Sequence, residues 1–111
     1  MESNLHSRAV RAGVRFLQKR DHEIIDKLVS ENIDIISEDE NGIHMIKVTV
    51  STDEMPSVDV TPFRENFERE AINAIANHPE YVGSTICFDV MDMVTLFNDT
   101  AFLRYHTNCL S

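Results

Sequence analysis

Hydrophobic and polar positions follow two different periods along this chain, and the change of period marks the boundaries of the predicted elements. Residues 4–20 repeat apolar side chains every three or four positions, from Leu5 to Phe16, with basic side chains largely opposite. This spacing predicts an amphipathic helix. Residues 23–30 suit a helix by their spacing and a strand by their β-branched side chains, so both assignments stay open.

A β-hairpin is predicted around the Asn-Gly pair at residues 41–42, because both residue types tolerate the positive φ angles of a tight turn. Counting back from a two-residue loop pairs Ile35 with Val48. The opposite face then sets Asp34 across from Thr49. The polar residues just before the turn leave a longer loop open as an alternative.

The second half of the chain predicts a helix followed by two strands. A Thr-Pro pair at residues 61–62 is typical of a helix start, and the apolar stripe that follows ends near residues 78–79. Residues 85–96 predict a long, mostly apolar strand, and residues 101–106 predict the last strand. With a strand at residues 23–30, the predicted order of elements is α-β-β-β-α-β-β.

The composition agrees with a single α/β domain over residues 1–111, a mixed β-sheet with flanking helices. Hydrophobic residues make up 42% of the chain, as in ordinary soluble proteins. No apolar run is long enough for a membrane span and no signal segment opens the chain, so we expect a cytoplasmic protein without membrane contact. Cys87 and Cys109 show no metal-site or disulfide pattern and are expected in or near the core.

The charge of the chain disfavours DNA as a strong partner. Nineteen acidic residues against ten basic ones give a formal net charge of −9, the wrong sign for gripping a phosphate backbone. Half of the positive charge lies in the first helix, where it is expected to form a solvated face. We therefore expect a protein partner or self-association rather than nucleic acid.

Four segments of the chain match, in order and spacing, the motifs of one group of small bacterial proteins. Residues 32–36 (NIDII) and 45–50 (MIKVTV) correspond to that group's Gly-Glu-Ile-Asp-Leu-Ile and Phe-Val-Glu-Val-Lys segments. Residues 86–90 and 105–110 correspond to its Arg-Phe-Asp-Val-Val strand and its histidine-containing tail. The chain thus resembles the YraN-type family. This resemblance implies a restriction-endonuclease-like, Holliday-junction-resolvase-like fold.

Carried over residue by residue, the family's active site is incomplete in this chain. Its hairpin aspartate falls on Asp34, but the glutamate of its Glu-x-Lys motif falls on Lys47 and the lysine falls on Thr49. The acid of its first helix falls near Val10. Two carboxylates hold Mg²⁺ in such nucleases, so an ammonium group at Lys47 removes a ligand and opposes the charge of the metal. An ion pair of Asp34 with Lys47 could occupy the former metal position.

Two functional hypotheses follow from this resemblance. In the first, the chain is a nuclease-fold protein without metal-dependent nuclease activity, with no catalytic, cofactor-binding or metal-binding residue, that acts as a binding or assembly module. In the second, it is a DNA endonuclease in which Asp34 binds Mg²⁺ or Mn²⁺ together with a relocated carboxylate from Glu31, Glu38 or Asp59. A third, plainer hypothesis is an unrelated mixed α/β domain.

The remaining titratable residues show no recognisable site motif. Asp89 and Asp92 lie three positions apart in a predicted strand, so they face opposite sides and form no carboxylate pair. Asp89, which matches an acid of the family, is expected to be structural. Five histidines lack the His-x-x-His and His-x-x-x-His spacings and are expected at the surface or in turns: His6, His22, His44, His78 and His106.

Overall fold

A computed structural model describes residues 3–51, 64–95 and 101–107 of the chain. It confirms the α/β class and the predicted order α-β-β-β-α-β-β, and it resolves the ambiguous residues 23–30 into a strand followed by a bend. The elements in chain order are α1 (Ser3–Lys19), β1 (Glu23–Lys27), β2 (Ile35–Asp39), β3 (Gly42–Ser51), α2 (Arg64–Asn77), a short 3-10 helix (Pro79–Tyr81), β4 (Ile86–Thr95) and β5 (Ala101–His106).

The five strands form one sheet in the order β1-β2-β3-β4-β5. All neighbouring pairs are antiparallel except β3 and β4, which run parallel. A parallel pair needs a long connection that crosses over the sheet, and α2 lies in that connection. The sheet is therefore mixed, as the sequence predicts.

The two helices cover opposite faces of the sheet, and each face has its own hydrophobic core. Alternation along β3 separates the two sets of side chains, because neighbouring residues of a strand point to opposite faces. The core on the α1 side contains Ala9, Val10, Leu17, Ile35, Ile46, Val48 and Met91. The core on the α2 side contains Ile33, Ile36, Ile43, Met45, Phe67, Ala71 and Ala74.

The predicted hairpin is present, but the predicted register is wrong by two residues. Ile35 pairs with Ile46 rather than with Val48, because the turn lies at residues 40–41 and Gly42 is already the first residue of β3. A shift of two preserves the alternation of faces. Ile35 and Val48 therefore still share the α1 side, and only their distance along the strands changes.

The end of α1 is closed by a Schellman motif. The His22 N–H donates a hydrogen bond to the Leu17 carbonyl oxygen at 3.0 Å, and the Asp21 N–H donates to the Gln18 carbonyl oxygen at 3.2 Å. Asp21 takes the left-handed conformation that glycine more often supplies at this position, with φ of +66°. The motif stops the helix and directs His22 towards the sheet, where its ring contacts Ser37.

Two further sequence predictions fall partly outside the described residues. The Thr-Pro helix start at residues 61–62 lies outside them, while α2 ends at Asn77, as predicted. Cys87 is buried, as expected, and Cys109 lies outside them. None of the helices described here is long and apolar enough to cross a membrane.

Gly42 and Gly83 offer a matched test of how closely β3 approaches β4. Both have positive φ, but a Cβ at Gly42 would lie 2.5 Å from the Thr85 carbonyl oxygen, whereas a Cβ at Gly83 would meet nothing within 4 Å. Gly83→Ala should lower the free energy of unfolding by about 1–2 kcal/mol through backbone strain alone. Gly42→Ala should lower it by at least about 1 kcal/mol more. Urea denaturation followed by circular dichroism measures both, and equal losses would contradict this close approach.

Candidate functional site

Asp34, the retained acid of the family's motif, is a buried residue that joins three elements. Its carboxylate accepts a hydrogen bond from the Val48 N–H at 2.7 Å and lies 3.3 Å from Nε2 of His6 on α1. Its own N–H donates to the Ile46 carbonyl oxygen at 2.8 Å. With only 3% of its surface exposed, Asp34 fastens the start of β2 to β3 and to α1.

The other positions that match the family's site divide between the two faces of the sheet. Val10 lies in the core on the α1 side. Lys47 and Thr49 alternate with Ile46 and Val48 along β3, so they belong to the α2 side. The structure therefore does not gather the four matching positions into one polar cleft.

Glu70 on α2 is an acidic residue on which the charge of Lys47 acts. Burial alone would raise the pKa of Glu70, but hydrogen bonds from Ser30 and Asn32, together with the charge of Lys47, lower it below its usual value. One carboxylate oxygen accepts from the Ser30 hydroxyl and, at 2.8 Å, from the Asn32 N–H, and the other accepts from the Asn32 side-chain amide at 2.7 Å. Glu70 therefore fastens the loop between β1 and β2 to α2.

Of the three acids proposed as relocated metal ligands, the two that the structure describes are not buried beside Asp34. Glu31 and Glu38 are exposed, and Asp59 lies outside the described residues. Glu38 is also four positions along the strand from Asp34, which corresponds to about 13 Å of extended chain. The described residues therefore do not support a metal site formed by Asp34 and a relocated carboxylate.

Asp92 organises a second buried polar cluster on the α2 side. One oxygen accepts hydrogen bonds from the hydroxyls of Thr49 at 2.7 Å and Ser51 at 2.9 Å, and the other accepts from Nη2 of Arg104 at 2.8 Å. Burial would raise the pKa of Asp92, but these donors and the charge of Arg104 lower it. The hydroxyl of Thr49 is thus part of a structural network that links β3, β4 and β5.

A third polar cluster, here called the histidine pocket, lies on the α1 side and is built on His22, Asp39 and His44. Nε2 of His44 lies 2.8 Å from one oxygen of Asp39, and Nε2 of His22 lies 3.4 Å from the other. The two imidazole rings are 4.9 Å apart between centroids. The turn between α1 and β1, the last residue of β2 and the third residue of β3 thus bring three potential metal ligands together.

The opposite nitrogen of each imidazole is also held by a polar partner. Nδ1 of His44 donates to Asp89 at 2.6 Å, and the hydroxyl of Tyr105 donates to the same carboxylate oxygen. Nδ1 of His22 lies 2.9 Å from the Ser37 hydroxyl. Both rings are therefore fixed in orientation, with their Nε2 atoms turned towards Asp39.

The surroundings shift the pKa values of these groups in different directions. The hydrogen bond to Asp89 raises the pKa of His44 despite the cost of burial, and Asp39 adds to this effect. Burial lowers the pKa of His22, although the charge of Asp39 acts against it. Burial and the hydrogen bond to Asp89 raise the pKa of Tyr105. The pKa values of the two neighbouring imidazoles are thus shifted in opposite directions.

The histidine pocket opens into a cavity of about 430 Å³, large enough for a small ligand. The guanidinium of Arg20 stacks over the Phe16 ring at 4.5 Å from its centroid, which places a positive charge at the cavity wall. The other wall residues are Asn41, Leu103, Tyr105 and Thr107.

The expectation that all histidines lie at the surface or in turns is wrong for His22 and His44, which are 9% and 4% exposed. The missed residues come from separate elements and share no local spacing motif. One signal was available: Asp39 and His44 flank the predicted turn, so any tight hairpin there brings them together. Nothing local in the sequence adds His22 or Asp89 to that pair.

Comparison of the chain with known protein families and with curated proteins finds no match. The resemblance to the YraN-type family therefore rests on the sequence motifs alone.

Proposed function

We propose that the chain is a divergent protein of the nuclease-like type that acts as a binding or assembly module and has no metal-dependent nuclease activity. The burial of Asp34 carries this proposal. Mg²⁺ keeps several water ligands and needs accessible carboxylate oxygens. A carboxylate that is 3% exposed and already bonded to the Val48 N–H offers no such position.

The charges near the matching positions support the same conclusion. Lys47 stands at the sequence position that matches the family's metal-binding glutamate, and its positive charge acts on Glu70. Asp92 is paired with Arg104 at 2.8 Å. The negative charges of Glu70 and Asp92 are therefore balanced by basic side chains of the protein itself. A divalent cation would have to compete with those basic side chains.

The partner included in this proposal is a polypeptide, either another protein or a second copy of this chain. The net charge of −9 repels DNA, while Arg8, Arg11 and Arg15 form an exposed positive cleft on the outer face of α1. An acidic polypeptide segment complements this cleft. The proposed location is the cytoplasm, with which the free, buried thiol of Cys87 is consistent.

The proposal predicts that the purified chain does not cleave branched, single-stranded or duplex DNA in Mg²⁺ or Mn²⁺. Any trace of cleavage should be unchanged in Asp34→Ala that circular dichroism shows to be folded, because on this proposal the Asp34 carboxylate binds no metal ion. Asp26→Ala, which removes an exposed acid from β1, serves as the control for loss of charge. Cleavage by the wild type that Asp34→Ala alone abolishes would contradict the proposal and support a Mg²⁺- or Mn²⁺-dependent endonuclease with a relocated carboxylate.

A structural role for the Asp92 cluster predicts a specific loss of stability in acid. Because the pKa of Asp92 is lowered on folding, its ionised form stabilises the fold above about pH 4, and this contribution is lost as the pH falls through the folded value. Asp92→Asn should lower the free energy of unfolding at pH 7 by about 2–3 kcal/mol and make its decline below pH 4 shallower.

Urea denaturation at a series of pH values measures this prediction. Glu68→Gln, which removes an exposed carboxylate from α2, is the control, and its profile should run parallel to that of the wild type. An Asp92→Asn profile parallel to the wild-type one would show that the hydrogen bonds of Asp92 do not favour its ionised form.

A further inference from the structure

We propose that His22, Asp39 and His44 form a binding site for a divalent transition-metal ion, and that Zn²⁺ is the ion this site fits. The site lies on the α1 side of the sheet, away from Lys47 and Thr49 on the α2 side. It is therefore independent of the nuclease-like comparison and of the binding role proposed above.

The distances between the three side chains match those between ligands of one ion. Their ligand atoms all lie within 4.8 Å of one another, and the two contacts of Asp39 with the imidazole Nε2 atoms measure 2.8 and 3.4 Å. Two ligands at about 2.0–2.1 Å from a tetrahedral zinc ion are about 3.3 Å apart. Small side-chain movements would therefore suffice for coordination.

The outer partners of the histidines are those that orient metal ligands in proteins. A coordinating imidazole commonly donates its second ring N–H to a carboxylate, which fixes the tautomer and the ring orientation. Asp89 has this relation to His44, and Tyr105 in turn donates to Asp89. Ser37 holds the second nitrogen of His22. Each Nε2 atom is thereby aimed at the place where the ion would lie.

The balance of charge in the pocket also favours a dication. Asp39 and Asp89 bring two negative charges to the two imidazoles, which are neutral when they act as ligands. A bound ion would lie between Asp39 and the two Nε2 atoms and contact both histidines as well as the carboxylate.

Three protein ligands leave the fourth position of a tetrahedral zinc ion open to water or another ligand. Structural zinc sites, by contrast, have four protein ligands. Here that position faces the cavity of about 430 Å³. Water or a small anionic oxygen ligand would complete the coordination. Arg20 at the cavity wall favours the anion.

Titration of the metal-free full-length chain with Zn²⁺, followed by calorimetry, tests the proposal. We expect one ion per chain and an affinity that falls at least about tenfold in Asp39→Asn and in His22→Gln, since each variant loses one ligand. Ser37→Ala keeps all three ligands and should weaken binding about 10-fold or more through the orientation of His22. His6→Gln and His78→Gln, which alter histidines outside the pocket, should bind as the wild type does.

Nuclear magnetic resonance of the wild-type histidine rings gives a second readout that does not depend on the folding of any variant. Zn²⁺ should shift the Nε2 resonances of His22 and His44 together. No saturable uptake by the wild type, uptake unchanged in folded Asp39→Asn, or shifts confined to His6 and His78 would each overturn the proposal. The DNA-cleavage assay depends on Asp34, so its outcome leaves this test unaffected.

Discussion

The parallel pairing of β3 with β4 is the contact on which the histidine pocket and the Asp92 cluster both depend. It aligns residues 43–51 with residues 86–94 and sets Thr49 directly beside Asp92. Because side chains alternate along a strand, the three-residue spacing of Asp89 and Asp92 sends one acid to each face. The inner strand β4 thus supplies Asp89, which holds His44 of the histidine pocket, and Asp92, which is paired with Arg104. Each acid is stabilised by donors from the strands on either side.

Much of the fold could be predicted from the sequence, because its elements have strong local signals. The amphipathic repeat of residues 4–20 agrees with α1, and residues 101–106 coincide with β5. The hairpin register could not be fixed in the same way. The Asn-Gly pair predicts a turn at residues 41–42, and the observed turn lies one residue earlier, at residues 40–41. That difference of one residue shifts the pairing of β2 with β3 by two positions. In the observed register Gly42 lies beside Thr85, the residue before β4, and the Ile43 N–H donates to the Thr85 carbonyl oxygen at 2.8 Å. This contact joins residues distant in sequence and has no local signal.

The histidine pocket was not predictable because its chemistry is assembled across the fold. His22 enters it from the end of a helix, Asp89 from a strand that is reached only after the α2 crossover, and Tyr105 from the last strand. Only Asp39 and His44 are linked by local structure. For the positions that match a nuclease motif, the sequence signal was local, but these positions do not form one polar cleft in the structure. They were easy to find in the sequence, but the structure gives Asp34 and Thr49 hydrogen-bonding roles within the fold.

The Schellman motif at Asp21 fixes the residue at which the chain leaves α1, and this sets a limit on the length of that helix. Inserting or deleting one residue would turn the two parts of the helix by about 100° relative to each other. Either Leu17 would then leave the core or His22 would leave its place beside Ser37. The number of residues in α1 is therefore constrained by the contacts at its end, and the exposed residues of its outer face have no part in this constraint.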